Sequence, residues 1–235
     1  LVRESLRESA KSIVEMGVMW GASPDKGRSL VRKVHNLEFL TDAVSSGKGV
    51  VFMVPHLGNW EVLNHFATLH TDVTAMYRPA KNKVLDTWMR ESRQKTGGYL
   101  VPTSRAGVAE LFRALQEGKL AGLLPDQEPK RQSGVFVPFM GVETLTPKLP
   151  QELIARTGAI AVFAFAQRLP NAEGFEIHFV QPEDEIYNDD VHIATAALNR
   201  AIETCVRMCP EQYQWTYKRF RRRPNENENP YKKAK

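Results

Sequence analysis

Segments with the hydrophobic pattern of strands alternate along this chain with segments that have the hydrophobic pattern of helices. Residues 49–54 (GVVFMV) form a continuous apolar run, which is typical of a strand buried on both faces. Residues 1–20 instead carry apolar positions at helical spacing, which predicts an amphipathic helix with the stripe Val2, Leu6, Ile13, Val14 and Trp20. The same criteria predict further strands over 72–77, 98–101, 119–124, 135–140, 159–166 and 174–180, and further helices over 36–46, 83–95, 104–116, 149–157, 191–208 and from about Trp60.

Strands that alternate with helices predict an α/β domain in which a mostly parallel mixed sheet is flanked by helices. Residues 174–180 alternate apolar and polar positions, as expected of an antiparallel edge strand, and residues 23–25 (SPD) are expected to end the first helix. No internal repeat and no change of composition occurs before Pro224. We therefore expect one domain over residues 1–224 and a polar, frayed tail over 225–235.

Composition excludes several classes of protein. A chain of 235 residues that is 42% hydrophobic, with 15 Gly and 14 Pro, is neither disordered nor collagen-like. Its two cysteines, Cys205 and Cys209, are expected to be small buried hydrophobes, without a metal or redox role.

No apolar run approaches the roughly 18 residues that span a bilayer. The chain opens in a helical pattern without a signal peptide, so we expect that an N-terminal segment is missing.

The net charge of +5 is concentrated at the C-terminus. The chain from residue 218 onward holds eight basic and two acidic residues and carries +6, which leaves −1 for the remainder. The C-terminal basic cluster consists of Lys218, Arg219, Arg221, Arg222 and Arg223. Such a cluster suits phosphate groups, anionic lipid or an acidic protein partner. Two plainer alternatives are that it is a solvated chain end, or that it pairs with acidic residues of the body.

The chemistry-bearing motif that stands out is His56-Leu-Gly-Asn-Trp-Glu61. The sequence lacks the G-x-S-x-G, P-loop, HExxH and paired CxxC signatures, which disfavours a serine hydrolase, a nucleotide-binding loop and a zinc site. His56 follows the carboxyl end of a buried strand, where open α/β sheets place their ligands. If Gly58 permits a tight turn, the Glu61 carboxylate can orient the imidazole and leave its other nitrogen as a general base.

This motif resembles the His-x4-Glu motif of bacterial lipid A late acyltransferases, within the lysophospholipid acyltransferase superfamily. The resemblance spans residues 15–224, nearly the whole chain. Its further blocks, in order, are Tyr77-Arg78-Pro79 with Asn82 and Asp86, Arg93 before Gly97, Leu124-Pro125-Asp126-Gln127, Gly134 to Phe139 with Gly141 and Thr146, and Gln214-Trp215 with Lys218-Arg219-Phe220 and Pro224.

The resemblance implies a glycerol-3-phosphate acyltransferase-like fold and transfer of a fatty acyl chain from acyl carrier protein to a hydroxyl of a lipid A precursor. Because the donor thioester is already activated, a general base suffices, and neither a cofactor nor a metal is implied. His56 would be this base and Glu61 would orient it. Arg93, or backbone amides near Gly58, would stabilise the oxyanion, and an aspartate matching Asp126 is implicated in the family's site.

The acyl transfer implied by the resemblance also indicates candidate substrate-binding residues. Arg78, Arg105, Lys130 and Arg131 are candidates for the acceptor phosphates, because guanidinium groups match phosphate geometry, and Asn59 is a further candidate. An acyl channel is expected to be lined by Trp88, Phe136, Phe139 and Met140, although core packing is an alternative for each.

The implied location is the cytoplasmic face of the inner membrane of a Gram-negative bacterium, with acyl carrier protein, the lipid A precursor and the membrane surface as partners. Two departures from the family pattern are the missing N-terminal membrane helix and Met140, which stands where a second aromatic residue is common. The rival functions are acylation of a mannosylated phosphoinositide or a lysophospholipid, and non-catalytic binding of anionic lipid or nucleic acid. The intact motif disfavours simple binding, so nucleic acid is not an expected partner.

Overall fold

The computed structural model describes residues 1–225 and 229–231. Part of the predicted polar tail, including Glu226, Glu228, Lys232, Lys233 and Lys235, lies outside these residues. Within the described residues, the helices are α1 (Val2–Gly21), α2 (Pro24–Ser29), α3 (Glu38–Ser45), α4 (Trp60–Ala67), α5 (Lys83–Lys95), α6 (Arg105–Gln116), α7 (Leu149–Thr157) and α8 (Val191–Met208). None of these helices is long and apolar enough to cross a membrane.

A twisted, mostly parallel sheet lies at the centre of the described chain. Its strands are β1 (Val31–His35), β2 (Val50–Met53), β3 (Val73–Tyr77), β4 (Tyr99–Pro102), β5 (Leu120–Leu123), β8 (Ile160–Arg168) and β9 (Phe175–Val180). They pair in the order β1-β9-β8-β2-β5-β3-β4, in which only the β8–β9 pair is antiparallel. A separate hairpin consists of β6 (Gly134–Phe139) and β7 (Val142–Pro147). The predicted α/β class with a mixed, mostly parallel sheet is confirmed.

The strand prediction at residues 174–180 is only half right. β9 is antiparallel to β8, as expected, but it does not lie at the sheet edge, because β1 pairs with its other side. Hydrophobic pattern did not reveal β1, since three of the five residues of its sequence VRKVH are polar and none of its residues is fully buried. The predicted break at residues 23–25 is also the start of α2, where the Ser23 side chain caps the helix by accepting a hydrogen bond from the Lys26 amide.

Hydrophobic cores lie on both faces of the sheet. Along β2, Val51 and Met53 face the core covered by α6, α7 and α8, whereas Val50 and Phe52 face the core on the opposite side. All four side chains are buried, which confirms the prediction of a strand covered on both faces. Cys205 and Cys209 are buried in the α8 region, and burial raises the pKa of Cys209 to about 12, in keeping with small apolar side chains.

Helix α1 lies on the body with its polar side inward. Glu8 and Glu15 form ion pairs with the buried guanidinium of Arg168, at the end of β8, and Ser12 accepts a further hydrogen bond from that guanidinium. The apolar stripe consequently faces outward, and Val2, Leu6, Ile13, Val14 and Val18 are each more than half exposed. The amphipathic helix predicted from the sequence is present, and it presents its hydrophobic face to the surroundings.

Candidate active site

His56 and Asp126 meet at the carboxyl edge of two neighbouring parallel strands. β2 and β5 are paired in register up to Met53 and Leu123, so the residues that follow them emerge side by side. The His56 Nδ1 atom lies 2.7 Å from Asp126 Oδ1, and the His56 backbone N–H donates to Asp126 Oδ2 at 2.9 Å. One carboxylate therefore holds both the imidazole ring and the backbone of His56.

The buried Asp126 carboxylate stays ionised because of this contact. Burial by itself raises the pKa of Asp126, but the charge of His56 and the hydrogen bonds from its ring and backbone outweigh burial and lower the pKa below its ordinary value. An ionised carboxylate accepts hydrogen bonds only, so the proton between the two groups resides on His56 Nδ1. In the neutral imidazole, Nε2 is then the basic nitrogen.

Gln127 and Gln214 fix the other side of the imidazole. The Gln127 side-chain nitrogen lies 3.2 Å from His56 Nε2 and donates to Gln214 Oε1 at 3.1 Å. Both amide protons are thereby used, and the lone pair of Nε2 accepts one of them. The Trp60 ring meets the imidazole edge to face at 5.1 Å between centroids. The His56 side chain remains 14% exposed, so part of it can be reached from solvent.

Glu61 binds Arg93 rather than His56, which corrects the predicted pairing. Both Glu61 oxygens accept from the Arg93 guanidinium, at 3.0 Å from Nε and 2.5 Å from an Nη, and the Glu61 carboxylate is almost fully buried. The cause is the start of α4, where the Asn59 side chain accepts from the Glu61 amide and places Glu61 in the first helical turn, facing α5. Burial lowers the pKa of Arg93, but the charge and hydrogen bonds of Glu61 outweigh burial and raise it.

Several of the groups expected to stabilise the oxyanion make other contacts in this structure. Arg93 donates from Nε and one Nη to Glu61, and the amides of Leu57, Gly58 and Asn59 donate to backbone carbonyl oxygens. Gly58 itself is required, because it has φ of +62° and a Cβ there would overlap the carbonyl oxygen of Ala166. The Glu61–Arg93 pair and Gly58 therefore hold the loop that carries His56 in place.

The predicted phosphate-binding cations follow strand ends on the same side of the sheet. Arg78 follows β3, Arg105 opens α6 directly after β4, and Lys130 and Arg131 lie in the loop after β5. All four are exposed. Parallel strands bring these loops to the edge at which His56 lies. Asn59, by contrast, is buried and donates to Glu15 while capping α4, which is a structural role.

The residues predicted to line an acyl channel do not lie together around one channel in this structure. Phe139 lies in the buried core, Met140 packs against it, Phe136 lies beneath the Arg131 guanidinium, and Trp88 is half exposed on α5. An apolar cavity of about 60 Å³ lies instead beside the Glu61–Arg93 pair. Its lining includes Phe52, Val54, Trp60, Leu63, Met76 and Leu124.

Four residues of the C-terminal basic cluster contact the body of the protein, whereas Lys218 is exposed and lies over the Tyr231 ring. Arg219 is buried and donates to Leu145 O and Thr146 Oγ1 at 3.0 and 2.9 Å. Arg221 and the Arg222 backbone donate to Glu128, and Arg223 donates to a backbone carbonyl of the hairpin. Among the alternatives, pairing with acidic residues of the body agrees with the contacts of Arg221 and Arg222 with Glu128.

The His56–Asp126 contact lies at the carboxyl edge of the sheet, and comparison with known proteins identifies the class of protein to which this fold belongs: the protein is an acyltransferase. The sequence model of one family, described as bacterial lipid A biosynthesis acyltransferase, matches residues 1–222. The chain therefore belongs to that family, which confirms the resemblance drawn from its motifs.

Individual relatives carry more specific names. Lipid A biosynthesis lauroyltransferase of Escherichia coli K12 is 26% identical over 228 residues, and lipid A biosynthesis palmitoleoyltransferase of the same organism is 28% identical over 228 residues. Each match covers 95% of this chain and 72% of the relative. Lipid A biosynthesis myristoyltransferase of E. coli K12 is 26% identical over 200 residues, which cover 84% of this chain and 61% of the relative. The three names specify three different acyl groups.

Proposed function

We propose that this enzyme transfers a fatty acyl chain from acyl carrier protein to a hydroxyl of a lipid A precursor, with His56 as the general base and Asp126 as its orienting carboxylate. The observation that carries this proposal is the His56–Asp126 contact, which leaves Nε2, on the side of the ring that Gln127 contacts, as the basic nitrogen. Glu61, which we first expected in the orienting role, instead positions the His56 loop through its ion pair with Arg93.

The proposed reaction needs no nucleophile from the protein. The acceptor hydroxyl displaces the Gln127 amide from His56 Nε2, gives its proton to that nitrogen, and attacks the thioester carbonyl. The tetrahedral intermediate then collapses, the carbon–sulfur bond breaks, and the leaving thiolate takes the proton from the imidazolium. Asp126 stabilises the imidazolium through Nδ1, and general-base catalysis of this kind contributes about 10²- to 10⁴-fold in rate.

Two surfaces support the proposed substrates. Arg78, Arg105, Lys130 and Arg131 offer the cations that a phosphorylated disaccharide needs. The apolar cavity next to Glu61 and Arg93 is a candidate binding site for the first part of the acyl chain. Its volume of about 60 Å³ corresponds to roughly two water molecules. Binding of a long chain therefore requires the lining side chains to move.

We further propose that the outward stripe of α1 contacts the lipid surface from which the acceptor comes, at the cytoplasmic face of the inner membrane. The stripe continues onto α5, because Trp20 and Trp88 pack edge to face and Val84, one turn away, is largely exposed. Arg3 and Lys83 are exposed at these helices and suit anionic headgroups. Since α1 also touches the His56 loop through Glu15 and Asn59, this contact would bring the bilayer close to the base.

The experiment is an acyl-transfer assay with matched donors and acceptors. Lauroyl-, myristoyl- and palmitoyl-carrier protein are offered with a tetra-acylated lipid A precursor, a lysophospholipid or a mannosylated phosphoinositide, and the corresponding acyl-coenzyme A serves as the alternative donor. The proposal predicts transfer from carrier protein to the lipid A precursor, and loss of that transfer in His56→Gln. Preferential acylation of one of the other acceptors, or use of coenzyme A alone, would contradict it.

A further inference from the structure

A cluster of two histidines and a glutamate lies at the β1 edge of the sheet, away from the residues that hold His56. We name His35, Glu176 and His178 the edge triad. His35 on β1 is paired in register with His178 on β9, and Glu176 precedes His178 by two residues, so it lies on the same face of β9. One nitrogen or oxygen from each of the three side chains lies within 4.8 Å of the others.

The triad combines one fixed side chain with two that remain accessible. The His178 ring is nearly buried and stacks between the rings of Phe165, at 4.9 Å, and His35, at 4.3 Å. The side chains of His35 and Glu176 are each 28% exposed, and His35 Nε2 lies 2.8 Å from Glu176 Oε2. An ion can therefore reach the cluster from solvent. Because the two imidazole planes are within 4° of parallel, binding of both rings to one ion requires the more exposed His35 ring to turn out of the stack.

A neighbouring side chain orients the buried ring of the triad. Gln167 Oε1 accepts from His178 Nε2 at 3.1 Å, which leaves Nδ1 with its lone pair and supplies the second hydrogen bond that histidine ligands usually make. Lys33, on the same strand as His35, is the nearby positive charge that opposes a cation.

We propose that the edge triad binds one divalent transition-metal ion, with Zn²⁺ as its representative, and that the ion ties edge strand β1 to β9. Two imidazoles and a carboxylate are a donor set that suits zinc and its neighbours, whereas magnesium prefers oxygen donors. The ion replaces the proton shared by His35 and Glu176, and water completes the coordination. Tetrahedral bonds of about 2.0–2.2 Å place donor atoms roughly 3.4 Å apart, so the more distant pair of donor atoms must approach each other by up to about 1.4 Å.

The test is calorimetric titration of the tag-free, chelator-treated protein with ZnCl₂ and, separately, with MgCl₂. We expect one Zn²⁺ per chain and much weaker binding of Mg²⁺. Glu176→Gln keeps the shape of the side chain and should weaken Zn²⁺ binding at least about tenfold, as should His35→Gln. His192→Gln, an exposed histidine at the start of α8, is the matched control and should bind as the wild type does.

Thermal unfolding gives a second measurement that is independent of acyl transfer. At a free Zn²⁺ concentration about 100 times Kd, the melting temperature of the wild type should rise by about 5–10 °C, and that of Glu176→Gln by much less at the same concentration. Equal Zn²⁺ affinity in the wild type and in both triad variants would overturn the proposal, as would loss of binding in His192→Gln. The triad would then be an ion pair with stacked rings, and the role of His56 would be unaffected.

Discussion

Replacing Asp126 with Asn keeps the shape of the side chain and removes the charge that holds His56. The carboxylate accepts from both Nδ1 and the backbone N–H of His56, at 2.7 and 2.9 Å, in a site where it is only 2% exposed. An amide offers one oxygen, so its NH₂ group must face either the ring or the backbone. If it faces the ring, the proton moves to Nε2 and the base is lost.

We expect Asp126→Asn to lower kcat by about 10²- to 10⁴-fold, which corresponds to roughly 2.7–5.4 kcal/mol at 1.36 kcal/mol per factor of ten. The assay is transfer from acyl carrier protein to the lipid A precursor under saturating substrate. Asp25→Asn is the control, because its carboxylate is 96% exposed and forms an ion pair with Arg28. If folded Asp126→Asn retained a rate within about threefold of the wild type, the carboxylate would not orient the base.

The same carboxylate predicts a pH dependence of stability. Because the pKa of Asp126 is lower in the folded protein than the ordinary 3.8, its stabilisation is present above about pH 3.8 and is lost as the pH falls through the lower, folded value. The free energy of unfolding of the wild type should therefore fall more steeply than that of Asp126→Asn between about pH 5 and about pH 2. Parallel curves from denaturant titrations at each pH would contradict this linkage.

Three further predictions concern the support of the site and its surface. Glu61→Ala leaves the Arg93 guanidinium buried without its partner and should destabilise the fold by about 3–5 kcal/mol in urea unfolding, whereas a loss below about 1 kcal/mol would show that the pair is not structural. Gly58→Ala introduces a Cβ where backbone already lies, so we expect a lower melting temperature and a distorted His56 loop; wild-type stability would contradict the required positive φ. Changing Leu6 and Ile13 together to Ser should weaken binding to anionic vesicles in flotation assays at an unchanged melting temperature, because both side chains are exposed; unchanged binding would exclude α1 as the lipid contact.

Local sequence patterns predicted strands and helices well where the element packs against the sheet core, because burial then requires apolar residues at regular positions. The run at β2 is apolar because both faces of that strand are covered, and α5, α7 and α8 have the predicted bounds. β1 was missed because three of its five residues are polar and none is fully buried, so this edge strand carries little hydrophobic signal. The orientation of α1 was also beyond sequence analysis, because it depends on Arg168, which lies more than 150 residues away and attracts the acidic side of the helix.

The site shows the same division between local and distant information. The sequence indicated His56 through its place after a buried strand, and family resemblance drew attention to Asp126. The assignment of Glu61 as the partner of His56 rested on the spacing within the motif, which reports only on residues close together in the sequence. Asp126 holds His56 from 70 residues away because β5 lies beside β2, and strand order is not encoded in any short pattern. Gln127 adjoins Asp126 and could have been considered with it, but its contact with Nε2 follows from the same strand pairing.

The most direct test of the central claim is a kinetic comparison of His56→Ala, Asp126→Asn and the double variant, each verified as folded by its melting temperature. If Asp126 acts through His56, the double variant should transfer acyl groups no more slowly than His56→Ala, because residues that act as a unit do not contribute additively. His56→Ala alone should lose about 10²- to 10⁴-fold in rate. A folded His56→Ala variant with a near-wild-type rate, or a double variant slower than His56→Ala by the full effect of Asp126→Asn, would contradict the account.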